Sequence, residues 1–136
     1  MDCIVGQTSD IRGGYLSVNP LAIRSSIDVF TTNRRLVTHL YNPKMNFECF
    51  YVMVGATLVG SCVATAEEGT FLRKGSEFGY FCFGGSTVVL VFKPNTIVFD
   101  DDILRTSKMS IEVLVQVGQS IAKIRSATTG TAETIQ

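Results

Sequence analysis

The residues with the most chemical potential are Gly84-Gly85-Ser86-Thr87, a polar corner between two apolar runs, Gly79-Tyr80-Phe81-Cys82-Phe83 and Val88-Val89-Leu90-Val91-Phe92. Two adjacent glycines open backbone conformations at φ > 0 and leave no side chain to obstruct the peptide bond that follows them. Ser86 sets a hydroxyl directly beside the Gly85 carbonyl. In that arrangement Ser86 Oγ can attack the Gly85 carbonyl carbon. The amide C–N bond breaks, the Ser86 nitrogen ends as the amine, and an ester replaces the amide. The oxyanion formed on the way needs fixed donors, which the backbone N–H groups of a turn can supply. Removal of the Ser86 α-proton then eliminates the upstream segment as a carboxylate. The dehydroalanine left behind takes up water, loses ammonia and becomes a pyruvoyl group. Such a carbonyl condenses with a substrate amine and draws electrons from it, so an amino acid can lose carbon dioxide without pyridoxal phosphate. In this reading Ser86 is nucleophile and cofactor precursor, Gly85 carries the cleaved carbonyl, and Gly84 and Thr87 complete the reactive corner. The plain alternative is that Gly-Gly-Ser-Thr only builds a turn, the usual work of these residue types.

The elements that must hold this corner read as strands. A short apolar patch at residues 3–5 leads into a turn-rich segment, 10–14, and residues 15–19 alternate like a strand stopped by Pro20. Residues 21–27 fit no template. Residues 28–35 resemble a turn leading into a strand over 36–41, which Asn42-Pro43-Lys44 ends. Residues 47–65 are rich in β-branched and aromatic side chains, and Gly55 and Gly60 divide them into strands over 50–54 and 58–63. Glu67-Glu68-Gly69 makes a polar turn, and residues 71–79 read as strand, glycine turn at Gly75, and strand. The pattern of that run has an echo at Val115-Gln116-Val117-Gly118-Gln119-Ser120-Ile121-Ala122. Between the two lie a turn at Lys93-Pro94-Asn95, a strand over 96–99, and Asp100-Asp101-Asp102, expected to cap one helical turn through Arg105. Residues 110–124 fit helix and strand spacing alike. Val113, Val115, Val117 and the echo favour strands. Residues 126–136 are small and polar, and read as a disordered tail. The expected fold is mainly β, a single barrel-sandwich-like domain over residues 1–125 with pseudo-symmetric glycine-turn strands and little helix.

Composition limits the partners. A chain of 136 residues suits one core. Its 12 basic residues balance its 12 acidic ones, which excludes a general attraction to nucleic acid. No apolar run reaches the roughly 18 to 20 residues of a membrane-spanning helix, and the N-terminus lacks the order of a signal peptide, so the chain reads as soluble. Cys3, Cys49, Cys62 and Cys82 are widely separated and His39 is the one histidine; nothing has metal-ligand spacing, and the thiols read as reduced.

Four blocks carry a family resemblance. They are Tyr15-Leu16-Ser17-Val18-Asn19-Pro20-Leu21-Ala22-Ile23-Arg24, then Asp28-Val29-Phe30-Thr31-Thr32-Asn33-Arg34-Arg35, then Val54-Gly55-Ala56-Thr57-Leu58-Val59-Gly60-Ser61, then Lys74-Gly75-Ser76-Glu77-Phe78-Gly79 running on through Gly84-Gly85-Ser86-Thr87. In this order they resemble the C-terminal catalytic half of phosphatidylserine decarboxylase, over residues 4–122, and the Gly-Gly-Ser-Thr form with its Asp100-rich continuation is similar to the type II branch. The resemblance implies self-cleavage between Gly85 and Ser86. It gives a larger chain ending in Gly85 and a smaller one opening with a pyruvoyl group derived from Ser86. It further implies decarboxylation of phosphatidylserine to phosphatidylethanolamine in phospholipid biosynthesis, peripheral association with a membrane surface, and a homodimer. The family's self-cleavage also uses an upstream aspartate and an upstream histidine in a His-Pro motif. This sequence has neither motif: Asp2 does not match the first, and His39 stands in a strand where the family has no catalytic residue, so His39 reads as structural. A general base is therefore missing, and the chain reads as a truncated decarboxylase or one begun at an internal methionine.

Other readings stay open. A non-catalytic decarboxylase half would bind lipid or a partner chain. A barrel-sandwich carrier or phosphotransfer domain would share the glycine-turn repeat, but Lys44-Met45 is not a carrier hairpin and one histidine offers phosphotransfer little. Arg34 and Arg35 could meet a phosphate or carboxylate, or form a solvated strand edge. Phe81 and Phe83 could admit acyl chains, or belong to the core.

Overall fold

A computed structural model describes residues 1–57, 61–82 and 86–125. In chain order its elements are β1 (Cys3–Ile11), helices α1 (Pro20–Ile23) and α2 (Val29–Thr32), β2 (Arg35–Asn42), β3 (Phe47–Val54), β4 (Cys62–Ala64), β5 (Phe71–Leu72), β6 (Gly79–Phe81), β7 (Thr87–Phe92), β8 (Ile97–Phe99), α3 (Asp101–Lys108) and β9 (Ala122–Ile124). Strand dominates and helix is minor, as the patterning requires. The chain forms two compact units, Met1–Phe92 and one beginning at Lys93.

The first unit is built on a curled antiparallel sheet in the order β5-β1-β2-β3-β7, with β4 and β6 pairing as a second ribbon. Its register is set by the β2–β3 hairpin. Pro43 supplies a fixed φ, the Asn42 side chain accepts from the backbone N–H groups of Lys44 (3.0 Å) and Met45 (3.1 Å), and Asn46 adopts φ 46°, a conformation asparagine tolerates. Pairing then runs without a break from Asn42 opposite Phe47 to Arg35 opposite Val54. Cys3, Val5, Thr38, Cys49, Met53 and Val54 are among the buried residues, and every buried residue among those described lies in this unit. Thr38, fully buried, keeps its hydroxyl satisfied by that of Thr8 across the β1–β2 pair at 2.9 Å, which removes the penalty of an unpaired polar group in the core.

Several expectations need correction. Residues 15–19 are not a strand, because the Leu16 backbone N–H and C=O are both taken by the side chain of Asn33 and no strand partner is left for them. Asn19 instead accepts from Leu21 N–H and caps α1, with Pro20 in its first turn. β1 extends well beyond the 3–5 patch, and its polar residues Thr8 and Asp10 hold strand geometry by pairing with Thr38 and Leu36. The turn at 28–35 contains the short helix α2, capped by the Asp28 carboxylate. α3 runs past Arg105 to Lys108. Asp100 makes no side-chain capping bond there; the helix ends are suited instead by Asp101 and Asp102 in the first turn and Arg105 and Lys108 in the last. Of residues 110–124, only Ala122–Ile124 is strand, paired with β8.

The internal echo holds at the level of the turn. Gly75 (φ 88°) and Gly118 (φ 86°) occupy equivalent third positions, closed by Ser76 N–H to Arg73 O and Gln119 N–H to Gln116 O, both 3.0 Å. A φ near +80° at that position is what a type II turn demands and glycine supplies without strain. Part of the strand expected over 58–63, and the whole tail 126–136, lie outside the described residues. No helix among the described residues is long and apolar enough to cross a membrane, and none of their side chains cluster as a metal site.

Candidate active site

Ser86 stands immediately before β7, half-buried, and donates its hydroxyl proton to the backbone carbonyl of Val54, the last residue of β3. Thr87 follows as the first residue of β7 and lies opposite Val54 in the register. The reactive corner is therefore anchored to a central strand of the sheet on its downstream side. Gly84, Gly85 and Phe83 lie outside the described residues.

The acceptor strand end is itself tightly held. Val54 is fully buried and Gly55 follows it, also buried. Gly55 N–H donates to Arg34 O at 2.8 Å, and Gly55 O accepts from Asn33 Nδ2 at 2.7 Å. Asn33 is fully buried. The same Nδ2 donates to Leu16 O at 2.8 Å, and its Oδ1 accepts from Leu16 N–H at 2.8 Å. One amide side chain thus ties the loop through Leu16 to the residue next to the Ser86 acceptor. Thr57 adds a second tie to that loop, its hydroxyl donating to Tyr15 O at 2.7 Å. A Cβ at Gly55 would lie 3.3 Å from Tyr15 Cε1 and from Arg34 O, so the ring of Tyr15 rests on the glycine.

Arg34, read as a candidate anion binder, has an internal partner: its Nε and an Nη donate to the two Asp10 carboxylate oxygens at 3.0 and 2.8 Å. These hydrogen bonds hold the Asp10 carboxyl below the usual carboxylate range. A carboxyl with a lowered folded pKa stabilises the fold above its unfolded pKa of about 4, and that contribution disappears as pH falls through the folded value. The pair is largely exposed, so its worth is roughly 0.2–1 kcal/mol. Asp10→Asn is accordingly expected to lower stability slightly at pH 7, with the difference from wild type shrinking below about pH 4, as read by urea melts across pH. Arg35 also turns inward, donating to the backbone carbonyls of Thr31 and Asn33.

His39 pairs through Nε2 with Glu48 Oε2 at 2.8 Å and lies between the rings of Tyr41 and Phe50, each 5.4 Å away. It stands opposite Phe50, four residues along β2 from the Arg35–Val54 pair. At about 3.3 Å per residue this is roughly 13 Å from the carbonyl that holds Ser86. Cys62 is closer, its Sγ 3.8 Å from Met53 O, but burial pushes the thiol pKa up and leaves it a neutral thiol. Among the described residues Ser86 Oγ therefore has a carbonyl partner and no histidine or carboxylate one. Cys3, Cys49 and Cys62 are buried free thiols, with Cys49 raised to about 11 by burial, and Cys82 is half-buried. Phe81 pairs opposite Cys62 and is half-buried. Sequence reasoning missed Asn33 as a structural centre; its place directly before Arg34-Arg35, in one of the resembling blocks, was the one signal.

The fold and site define a mainly β domain that presents a glycine-preceded serine at the head of β7, the sheet strand paired with β3. The chain belongs to the phosphatidylserine decarboxylase family, whose sequence model matches residues 1–123. It is 44% identical over 119 residues to phosphatidylserine decarboxylase proenzyme 3 of Schizosaccharomyces pombe, covering 88% of this chain and 12% of that protein. Similarity to the phosphatidylserine decarboxylase proenzyme of Chlamydia caviae is 39% over 123 residues, 90% of this chain and 41% of the relative. With proenzyme 2 of Oryza sativa it is 45% over 113 residues, 82% and 18%. The chain thus spans less than half the length of the relatives it matches, down to 10% of proenzyme 2 of Saccharomyces cerevisiae. No solved structure matches it.

Proposed function

We propose that this chain carries the self-cleaving, cofactor-forming portion of an enzyme that decarboxylates phosphatidylserine to phosphatidylethanolamine. The observation that carries the reading is the Ser86 hydroxyl, held on Val54 O at the head of β7 and directly following Gly85 in sequence. Because Oγ spends its proton on that carbonyl, its lone pairs are left for the Gly85 carbonyl carbon. Attack moves the acyl group from nitrogen to oxygen. Loss of the Ser86 α-proton then breaks the Cβ–O bond and releases the upstream chain with Gly85 as its carboxylate, and hydrolysis with loss of ammonia completes the pyruvoyl group. That group supplies an electron sink for the carbon–carbon bond cleaved in decarboxylation. The residues present fit it: the position is half-buried, beside a glycine, and fixed to the sheet by Val54 and Thr87. A backbone carbonyl orients the hydroxyl but is too weak a base to remove its proton, so the aspartate and histidine of the family resemblance are assigned to the remainder of a longer protein. The reading includes peripheral association with the membrane that holds the lipid substrate. The proenzyme names of the relatives support processing into two chains.

Denaturing mass spectrometry of the full-length protein tests this. Two fragments meeting at Gly85 and Ser86 are expected, the second lighter by one ammonia than a serine-initiated chain. A single intact chain would instead support a non-catalytic member of the family, which the lack of a histidine or carboxylate at Ser86 among the described residues favours as second reading.

A further inference from the structure

We infer that Asn33 is a positioning residue for self-cleavage, acting through the Gly55 carbonyl on the Val54 carbonyl that aims Ser86. The inference rests on the proposed pyruvoyl chemistry but concerns a residue with no contact to the cleaved bond. Asn33 is fully buried and its amide makes three hydrogen bonds of 2.7–2.8 Å, to Gly55 O, Leu16 O and Leu16 N–H. A buried amide satisfied this completely fixes the groups it touches, because any rotation would strand a donor or acceptor away from water. What it touches on the β3 side is the Gly55–Ala56 peptide, one plane beyond the Val54 carbonyl. Gly55 is pinned at both ends, N–H to Arg34 O at 2.8 Å and C=O to Asn33. The Val54–Gly55 peptide plane, which contains the Val54 carbonyl, is held directly by Arg34 O, and Asn33 fixes the next plane, Gly55–Ala56, so the Val54 carbonyl has little freedom to turn about Gly55. Ser86 Oγ takes its direction from that carbonyl. A small rotation of the plane would leave the fold intact and swing the hydroxyl away from the Gly85 carbonyl carbon, and the rate of an intramolecular attack falls steeply with misalignment.

A loop anchor would do something different. Thr57 holds the same loop at Tyr15 O but has no bond to the Gly55 carbonyl. Thr57→Val and Asn33→Asp therefore separate anchoring from aiming. In Asn33→Asp the ionised side chain can still accept from Leu16 N–H but cannot donate to Gly55 O, and protonation restores one donor. The groups around it that bear on its ionisation are Arg34 and Arg35, adjacent in sequence, and Tyr15, whose ring lies on Gly55. Gly55→Ala is the second variant. Its Cβ, 3.3 Å from Tyr15 Cε1 and Arg34 O, shifts the same peptide while Asn33 stays intact.

The experiment follows cleavage of freshly refolded full-length protein by denaturing gel and mass spectrometry from pH 5 to 8, with a thermal melt of each variant's unprocessed Ser86→Ala form. Asn33→Asp is expected to process about ten- to a hundredfold more slowly than wild type at pH 8 and to close that gap as pH is lowered. Gly55→Ala is expected to be slowed as well, and Thr57→Val to process within about twofold of wild type even where its melt falls by as much. Wild type that processes alongside equally fast Asn33→Asp and Gly55→Ala would overturn the role of Asn33 alone, as would Thr57→Val slowed in step with its melt. If Asn33→Asp does not fold, Gly55→Ala decides by the same comparison. Wild type that stays intact would overturn the pyruvoyl reading on which the inference rests.

Discussion

Ser86→Ala is expected to leave the full-length protein as one uncleaved chain and to lower its decarboxylation by more than about a thousandfold, while its fold survives. The chemical half follows from what the hydroxyl is asked to do. In the proposed mechanism it is the nucleophile for the Gly85 carbonyl and its carbon skeleton becomes the reactive carbonyl, so alanine removes both the step and its product. The structural half follows from the geometry. Ser86 is half-buried, its hydroxyl makes one hydrogen bond to Val54 O, and the β3–β7 ladder that holds the segment runs from Thr87 opposite Val54 to Phe92 opposite Cys49 without needing the side chain. Losing one such bond costs about 1 kcal/mol, a small fall in melting temperature. Ser86→Cys sharpens the test, because the thioester its thiol forms can be hydrolysed by water, which releases the upstream chain as the Gly85 carboxylate and leaves an N-terminal cysteine in place of a pyruvoyl group. Cleaved but inactive chains are expected from it. Full decarboxylation in Ser86→Ala, measured by carbon dioxide release from phosphatidylserine vesicles, would sink the mechanism.

What could be read in the sequence was what the sequence encodes locally. The β2–β3 hairpin declared itself through Asn42-Pro43-Lys44 and the apolar runs around it, and its turn uses those residues for the reasons that made them recognisable. Gly75 and Gly118 were legible as equivalent turns because only glycine is at ease at φ near +87°. The Ser86 corner could be proposed from sequence because the hydroxyl and the carbonyl it would attack are neighbours in the chain. β1 was underestimated because its outer half is polar, and its partners Leu36 and Thr38 lie about 28 residues downstream. Residues 15–19 alternated convincingly, yet the hydrogen bonds that alternation would have offered to a strand went to the Asn33 side chain, 17 residues away. Asn33 illustrates the limit most directly. Its Gly55 partner is 22 residues distant, and an asparagine after two threonines looks like a turn residue until the chain that closes around it is known.

Gly13→Ala is expected to damage the first unit severely, lowering stability by about 3 kcal/mol or more in urea unfolding. A Cβ at Gly13 would lie 2.4 Å from Thr32 O, 2.6 Å from Asn33 C and 2.7 Å from Arg34 N, all backbone atoms. Flexible side chains could yield to it; this backbone is held. Gly14 N–H donates to Thr32 O and Arg34 N–H to Gly14 O, both at 2.9 Å, so residues 32–34 cannot retreat from Gly13 without breaking the bridge that Gly14 makes with Asn33. Retreat would also drag Asn33 from Leu16 and Gly55. Gly14→Ala is the control, since its Cβ would meet nothing nearer than 4.0 Å and should cost well under 1 kcal/mol. The two glycines thus separate conformational permissiveness from space: if Gly14→Ala proved as costly as Gly13→Ala, the close approach of residues 32–34 would not be the cause. Where Ser86→Ala removes the chemistry and keeps the fold, Gly13→Ala should remove the fold's hold on the chemistry, and cleavage at Gly85–Ser86 should fall with unfolding and further in folded molecules whose Asn33 has left Gly55.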